Sequence, residues 1–292
     1  MNKAWRSLVA FAAMLLLADS AAFAQSPPLA TPAKSPARPN FVILLMDDVA
    51  LMDLGAFGGE ARTPNIDALA RRGRMFANYY SSPLCSPSRA MLLTGLDNHR
   101  TGVATIEEVI PEEHIGKPGY SLHFEPGVET IAARLRRLGY RTYMTGKWHL
   151  GHAKGDLPSA HGFDRSFVLD ASGADNWEDK PYMPYYAKAP WFEDGKPVAR
   201  PDGVYSSRFL VDRMISYLDS NASDNPFLAY IGFQAVHIPV QAPARFTRHY
   251  LDTYKDGWDR LRAARWERAQ QSGLIPQGAP LAAMPESTRR WA

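Results

Sequence analysis

The chain has 292 residues, with 33 Lys and Arg against 30 Asp and Glu, a net charge of +3, and 46% hydrophobic and 11% aromatic residues. That is too apolar and too weakly charged for a disordered chain, and basic residues interspersed with acidic ones leave no electrostatic footprint for nucleic acid. The single cysteine, Cys85, excludes an internal disulfide, and the length suits one large α/β domain or two small ones.

Residues 1–24 are predicted to be a secretory signal peptide. Lys3 and Arg6 give a basic start, residues 8–17 a short apolar run, and Ala22-Phe23-Ala24 a small-residue cleavage site before Gln25. A periplasmic or secreted location follows, with no membrane attachment after cleavage. Residues 25–38 (QSPPLATPAKSPAR) are rich in Pro, Ser and Ala and are predicted to be a flexible linker.

Residues 40–46 (NFVILLM) form a continuous apolar run of β-formers. They predict a strand buried on both faces, as in a parallel sheet, ending at Asp47-Asp48. Thr63-Pro64 supplies an N-cap and a first helical position for NIDALARR, which Gly73 closes. Residues 74–80 (RMFANYY) predict a second strand. Residues 129–138 (ETIAARLRRL) predict an amphipathic helix ended by Gly139, and residues 141–145 begin another strand. Residues 206–218 predict a helix with Phe209, Leu210, Met214, Ile215 and Leu218 as its apolar positions. Residues 226–232 (PFLAYIG) predict an apolar strand, and residues 257–271 a charged surface helix. The chain then runs into a Pro-rich loop with no closing element. Strands alternating with helices predict an α/β fold with a largely parallel central sheet. Ligands gather at the carboxyl ends of such strands, where Asp47 and Asp48 sit and where His237 follows the 226–232 strand.

The chemistry concentrates around Cys85-Ser86-Pro87-Ser88-Arg89. A lone buried cysteine is usually inert packing. Here a Ser/Pro-rich turn leads into the helical run AMLLTG, which places Cys85 at a helix N-terminus, where backbone N–H groups favour an anion. Arg89, four residues on, shares that helical face. A nucleophile position beside anion-binding groups suits a sulfate or phosphate ester. Asp47 and Asp48 offer hard oxygen ligands for a hard cation. Lys147 and His149, two apart, face one side if they lie on a strand. His99 lies in a loop expected to border the pocket mouth, and the remaining histidines outside positions 149 and 237 carry no motif.

At this point the sequence resembles the sulfatase family. C-S-P-S-R looks like its signature C-x-P-S-R. PNFVILLMDD with TPNIDALARRG looks like its opening segment, and Gly139-Tyr140-Arg141-Thr142 followed by Gly146-Lys147-Trp148-His149 like its second signature. Residues 161–169 and 234–243 match later segments, and residues 257–268 resemble a helix of the bacterial arylsulfatases. The resemblance implies an alkaline-phosphatase-like fold, a catalytic domain over residues 39–292 and hydrolysis of sulfate esters, aryl sulfates first, with alkyl and sugar sulfates open. It implies that a formylglycine-generating enzyme oxidises Cys85. The hydrated aldehyde then attacks sulfur with one hydroxyl and expels sulfate with the other. Asp47, Asp48 and the modified Cys85 would bind calcium. Arg89 would hold the diol, Lys147 the sulfate and His149 the formylglycine hydroxyl. His237 would contact sulfate or protonate the leaving oxygen. The competing readings are a phosphatase or phosphonate-ester hydrolase of the same superfamily, and an inactive, non-catalytic fragment.

Family members continue past the point where this chain ends, through a strand ending in S-D-N-G that completes the calcium site and a second sulfate-binding lysine. Asp97-Asn98, Asp175-Asn176 and Asp224-Asn225 do not fit that strand. The sheet is therefore expected to be incomplete at the C-terminus. Residues 25–292 alone are expected to be weakly stable and inactive, which saturable turnover by the purified chain would overturn. Tyr182, Tyr185, Tyr186 and Trp191 either stack on an aryl group or belong to a plain surface loop.

Overall fold

The computed structural model describes residues 38–184, 186–220, 223–288 and 291. The expected signal peptide, and all of the expected linker except Arg38, lie outside the described residues. Among those described, six strands form one sheet: β1 Phe41–Leu45, β2 Arg141–Lys147, β3 Arg165–Leu169, β4 Trp191–Glu193, β5 Lys196–Pro197 and β6 Phe227–Gly232. Their order is β1-β6-β2-β3-β4-β5. The first four in that order run parallel, and β4 and β5 add antiparallel pairs at one edge. The helices are α1 Pro64–Arg72, α2 Cys85–Thr94, α3 Asn98–Thr101, α4 Ile131–Arg137, α5 Ser206–Ser220, α6 Ala244–His249 and α7 Gly257–Gln271. None among the described residues is long and apolar enough to cross a membrane.

Strand alternation divides the core between the two faces of the sheet. Met144, Val168, Leu228 and Tyr230 pack with Ala90 and Leu93 of α2 and Ala132 and Leu135 of α4. Their strand neighbours Tyr143, Phe167, Ala229 and Ile231 pack on the other side with Leu210, Met214 and Tyr217 of α5. Successive side chains on a strand point to opposite faces, so near-continuous apolar runs are what a sheet covered on both sides requires. The cap of α4 is local: the Thr130 hydroxyl accepts from Ala133 N at 3.1 Å and donates to His161 O at 2.6 Å. Helix α7 does more than cover surface. Its Arg265 meets Glu60 at 2.7 Å and Asp53 at 3.0 Å, and Arg268 also meets Glu60, which pins the 50–60 loop.

Two expectations fail. β1 is not buried on both faces; Val42 is 59% and Leu44 50% exposed. Among the described residues it is the outer strand and pairs only with β6, so one edge lacks a partner there. Residues 74–80 form no strand, and Met75, Phe76, Tyr79 and Tyr80 are exposed. β-propensity without a ladder partner does not make a strand. An exposed apolar edge is a template for association. The double variant Val42→Lys, Leu44→Lys is therefore expected to raise the monomer fraction in light scattering. An unchanged mass distribution would count against β1 as the associating edge.

The parallel strands bring their carboxyl ends together through a glycine pair. Gly146 of β2 lies opposite Gly232 of β6. Gly146 has φ +99°, and a Cβ there would collide with the Gly232 carbonyl oxygen. A Cβ on Gly232 would lie 2.8 Å from Lys147 O and 3.0 Å from Arg89 Nη1. The missing side chains leave room for a guanidinium between strand ends. Gly146→Ala combines a left-handed backbone with a backbone clash, and is expected to cost about 3 kcal/mol or more. An unchanged urea midpoint would mean the strand ends separate freely.

Candidate active site

The ladder between β1 and β6 continues into the loops that follow them. Asp47 N donates to Ala235 O at 3.0 Å, and Val236 N donates to Asp47 O at 2.8 Å. These bonds bring Asp47 and Asp48 to the same end as His237. Cys85 opens α2, Lys147 closes β2, and His149 lies two residues beyond it. All seven sequence-predicted residues thus fall at the carboxyl end of the parallel sheet.

Asp47 sits between two cations. Lys147 Nζ donates to its Oδ2 at 2.5 Å, and Arg89 Nη2 lies 3.2 Å from its Oδ1. Arg89 Nη1 also donates to Lys147 O at 2.8 Å. Burial pushes the Asp47 carboxyl up, but Arg89 and Lys147 together outweigh it and hold the group below its ordinary range. One carboxylate against two cations leaves an excess positive charge beside position 85.

Cys85 Sγ lies 3.3 Å from His149 Nδ1. Burial opposes ionisation of the thiol, but the His149 contact and the Lys147 charge bring it down to about 7. On the other side of the ring, His149 Nε2 lies 3.3 Å from Glu108 Oε1. That contact is off-line: neither His149 Nε2 nor Glu108 Oε2 has an aligned hydrogen-bond partner. The Tyr186 hydroxyl donates to Glu108 Oε1 at 3.1 Å. Burial would raise Glu108, yet His149 and Tyr186 bring it to about 2. His149 itself is raised, because its contacts with Cys85 and Glu108 outweigh burial. Both His149 (φ +57°) and Asp48 (φ +59°) are non-glycine residues in the left-handed region. Such strain costs about 1–3 kcal/mol each and tends to cluster at functional sites.

His237 faces the site from the loop after β6. Its Nδ1 donates to Ile238 O at 2.6 Å, which turns Nε2 toward Ser172 Oγ at 3.4 Å and Asp48 Oδ2 at 3.8 Å. A cavity of about 730 Å³ opens beside Asp47, Asp48, Cys85 and Arg89 and extends along the apolar edge by Leu44 and Phe76. A smaller one of about 160 Å³ lies against His149, Glu107 and Tyr186.

The remaining expectations sort by contact. His99 lines a separate cavity, with its Nδ1 3.0 Å from Asn98 Oδ1. Trp191 is buried in the core and unavailable for stacking on a substrate, and Tyr185 lies outside the described residues. Asp175 and Asn176 are committed to structure: Asp175 accepts from Trp177 N, Glu178 N and Gln241, and Asn176 Oδ1 from Ser206 and Gln234. Sequence reasoning missed Glu108, Ser172 and the bond from Tyr186. The Glu107-Glu108 pair has no feature that separates it from Glu112-Glu113; only the fold brings it to His149.

Calcium takes roughly six to eight oxygen ligands. Asp47 and Asp48 supply two carboxylates, and that of Asp47 is already committed to Lys147 and Arg89. No group of three or more His, Cys, Asp or Glu able to hold a metal gathers among the described residues. These residues do not by themselves make a calcium site. Position 85, at a helix start beside Lys147 and His149, does fit a modified side chain that must take up negative charge.

A largely parallel α/β sheet thus gathers the buried cations Arg89 and Lys147 beside Cys85 at its strand ends. The Sulfatase family model matches residues 39–282, and the chain belongs to the sulfatase family. It is 34% identical over 251 residues to an arylsulfatase of Klebsiella aerogenes, covering 84% of this chain and 53% of that protein. It is 35% identical over 230 residues to an N-acetylgalactosamine-6-sulfatase of Mus musculus, covering 73% of this chain and 43% of that protein. The crystal structure of Ps i-CgsB shares the fold, with TM-score 0.63 and 24% identity over 81% of this chain and 56% of that one. The chain spans about half the length of the curated relatives it matches.

Proposed function

We propose that this site serves the hydrolysis of sulfate esters, with position 85 as the nucleophile after Cys85 is converted by a formylglycine-generating enzyme. The observation that carries the reading is the Asp47–Arg89–Lys147 cluster beside Cys85, with His149 Nδ1 at 3.3 Å. A hydrated aldehyde at position 85 supplies an oxygen nucleophile that a thiol does not. Lys147 and Arg89 hold the charge of the sulfate group and of the attacking oxygen in a water-poor setting, where fixed cations act most strongly. His149 Nδ1 takes the proton from the group at position 85. His237 approaches from the opposite loop and, once protonated at Nε2, donates to the leaving oxygen. Asp47 holds both cations in place. Asp47 and Asp48 would contribute carboxylate oxygens to a calcium ion, which requires further ligands. Aryl sulfate is the substrate class this reading favours, by likeness to the arylsulfatase relative. The signal-peptide pattern of residues 1–24 supports a periplasmic or secreted location for this reading.

The test is to co-express the chain with a formylglycine-generating enzyme and weigh the peptide that carries position 85. The expected result is an aldehyde that reacts with a hydrazide probe and is lost in Cys85→Ala. Full retention of the thiol would overturn the formylglycine assignment.

A further inference from the structure

We propose that Glu108 is a positioning residue that, braced by Tyr186, holds the His149 ring with Nδ1 turned toward position 85. The catalytic consequence rests on the sulfate-ester reading above; the placement of the ring does not.

The backbone alone does not fix this ring. β2 ends at Lys147, so His149 lies beyond the last ladder bond, in a left-handed conformation uncommon for non-glycine residues. Its orientation must come from what the ring touches. The imidazole is 7% exposed and meets Cys85 Sγ at one nitrogen and Glu108 Oε1 at the other, each at 3.3 Å. The two nitrogens sit on opposite edges of a rigid ring, so a partner that fixes one fixes the direction of the other.

Glu108 suits that task. It comes from the short 3-10 turn Glu107–Val109, and its side chain is only 4% exposed. A carboxylate so far from water requires a partner, because an isolated buried charge is costly. It meets the His149 ring edge on one side and the Tyr186 hydroxyl on the other, both at Oε1. A carboxylate accepts and does not donate, so it selects the proton on His149 Nε2 and leaves the Nδ1 lone pair facing position 85. Hydrogen bonds at catalytic sites are often long or poorly aligned before substrate binds, so the off-line contact between Nε2 and Glu108 does not exclude this role. In the reaction, a proton leaves the oxygen at position 85 for Nδ1, and the resulting imidazolium keeps its Nε2–H on the Glu108 carboxylate. The charge gained by the ring is offset where it forms.

The test reads the ring directly in the full chain carrying Cys85→Ser, whose hydroxyl stays protonated at alkaline pH and can donate to Nδ1 where the thiol would be ionised. Long-range proton–nitrogen NMR is recorded at alkaline pH, with this chain as the wild-type reference and the His149 signals identified by their loss in His149→Asn. The expected result is one set of ring signals with the proton on Nε2. Glu108→Ala should shift and broaden that set. Glu108→Gln keeps a side-chain oxygen and should restore it. Tyr186→Phe should move the signals less, in the same direction. Melting curves of the Ala and Gln variants separate loss of fold from loss of ring placement; if Glu108→Ala does not fold, Glu108→Asp replaces it, with an expected partial displacement. His149 signals in the Ala or Asp variant superimposable on the wild type, or displaced equally in the Gln variant, would overturn the proposal. Because no turnover is needed, failure of the sulfate-ester reading leaves this result standing, and the converse holds.

Discussion

Arg89→Ala is expected to lose about 3–5 kcal/mol of folding stability, the cost of removing one partner from a buried ion pair. Arg89 is 2% exposed and ties three things together. Nη2 meets Asp47 Oδ1, Nη1 meets the Lys147 carbonyl, and the guanidinium fills the space that the Gly146–Gly232 pair leaves open. Its removal strands a carbonyl acceptor and half of a buried carboxylate. A typical domain holds only about 5–15 kcal/mol in all, so the urea midpoint should fall steeply. Arg89→Lys keeps the charge but not the fork that reaches both acceptors, and should fall between. A midpoint within about 1 kcal/mol of wild type in the Ala variant would show that Asp47 relies on Lys147 alone.

Asp47→Ala should be more damaging still, because it leaves two cations facing each other without a counter-ion. Lys147 is 1% and Arg89 2% exposed, so water does little to screen them. This loss has an internal control. If the two cations form an oxyanion site, sulfate should replace the missing carboxylate and restore part of the melting temperature, since a ligand that binds only the folded state stabilises it. Chloride at matched ionic strength should not. Sulfate also stabilises proteins by exclusion from their surface, so the wild-type chain sets the baseline. An equal rise in both proteins would show that the cations do not bind the anion.

What was legible in the sequence was what local pattern controls. Residues 40–46 and 226–232 read as strands from short apolar runs, residues 141–145 as the start of a strand after Gly139, and α1 from Pro at its first position with Gly after its last. Asp47, Cys85, Lys147 and His149 fell together because a parallel sheet gathers its strand ends, and Arg89 reaches them from within α2. Illegible was whatever depends on order within the sheet. Nothing in NFVILLM says that its strand lies at an edge, and nothing in RMFANYY says that no partner awaits it. Glu108 and Ser172 were missed for a related reason. They come from connections whose path is set by tertiary packing, with no periodicity to mark them. The calcium reading of Asp47 and Asp48 came with the family resemblance, and the fold divides their work: Asp47 is buried between cations while Asp48 is exposed.

The measurement that bears most directly on the account is calorimetric titration of the chain with an aryl sulfate, repeated in Lys147→Met and in His99→Ala. Saturable binding is predicted, weakened about 30-fold or more without the Lys147 ammonium, a loss of roughly 2 kcal/mol or more for a buried charged contact. His99→Ala should bind as the wild type does. Absence of binding in the wild-type chain, or equal affinity in Lys147→Met, would contradict the assignment of these strand ends as a sulfate-ester site.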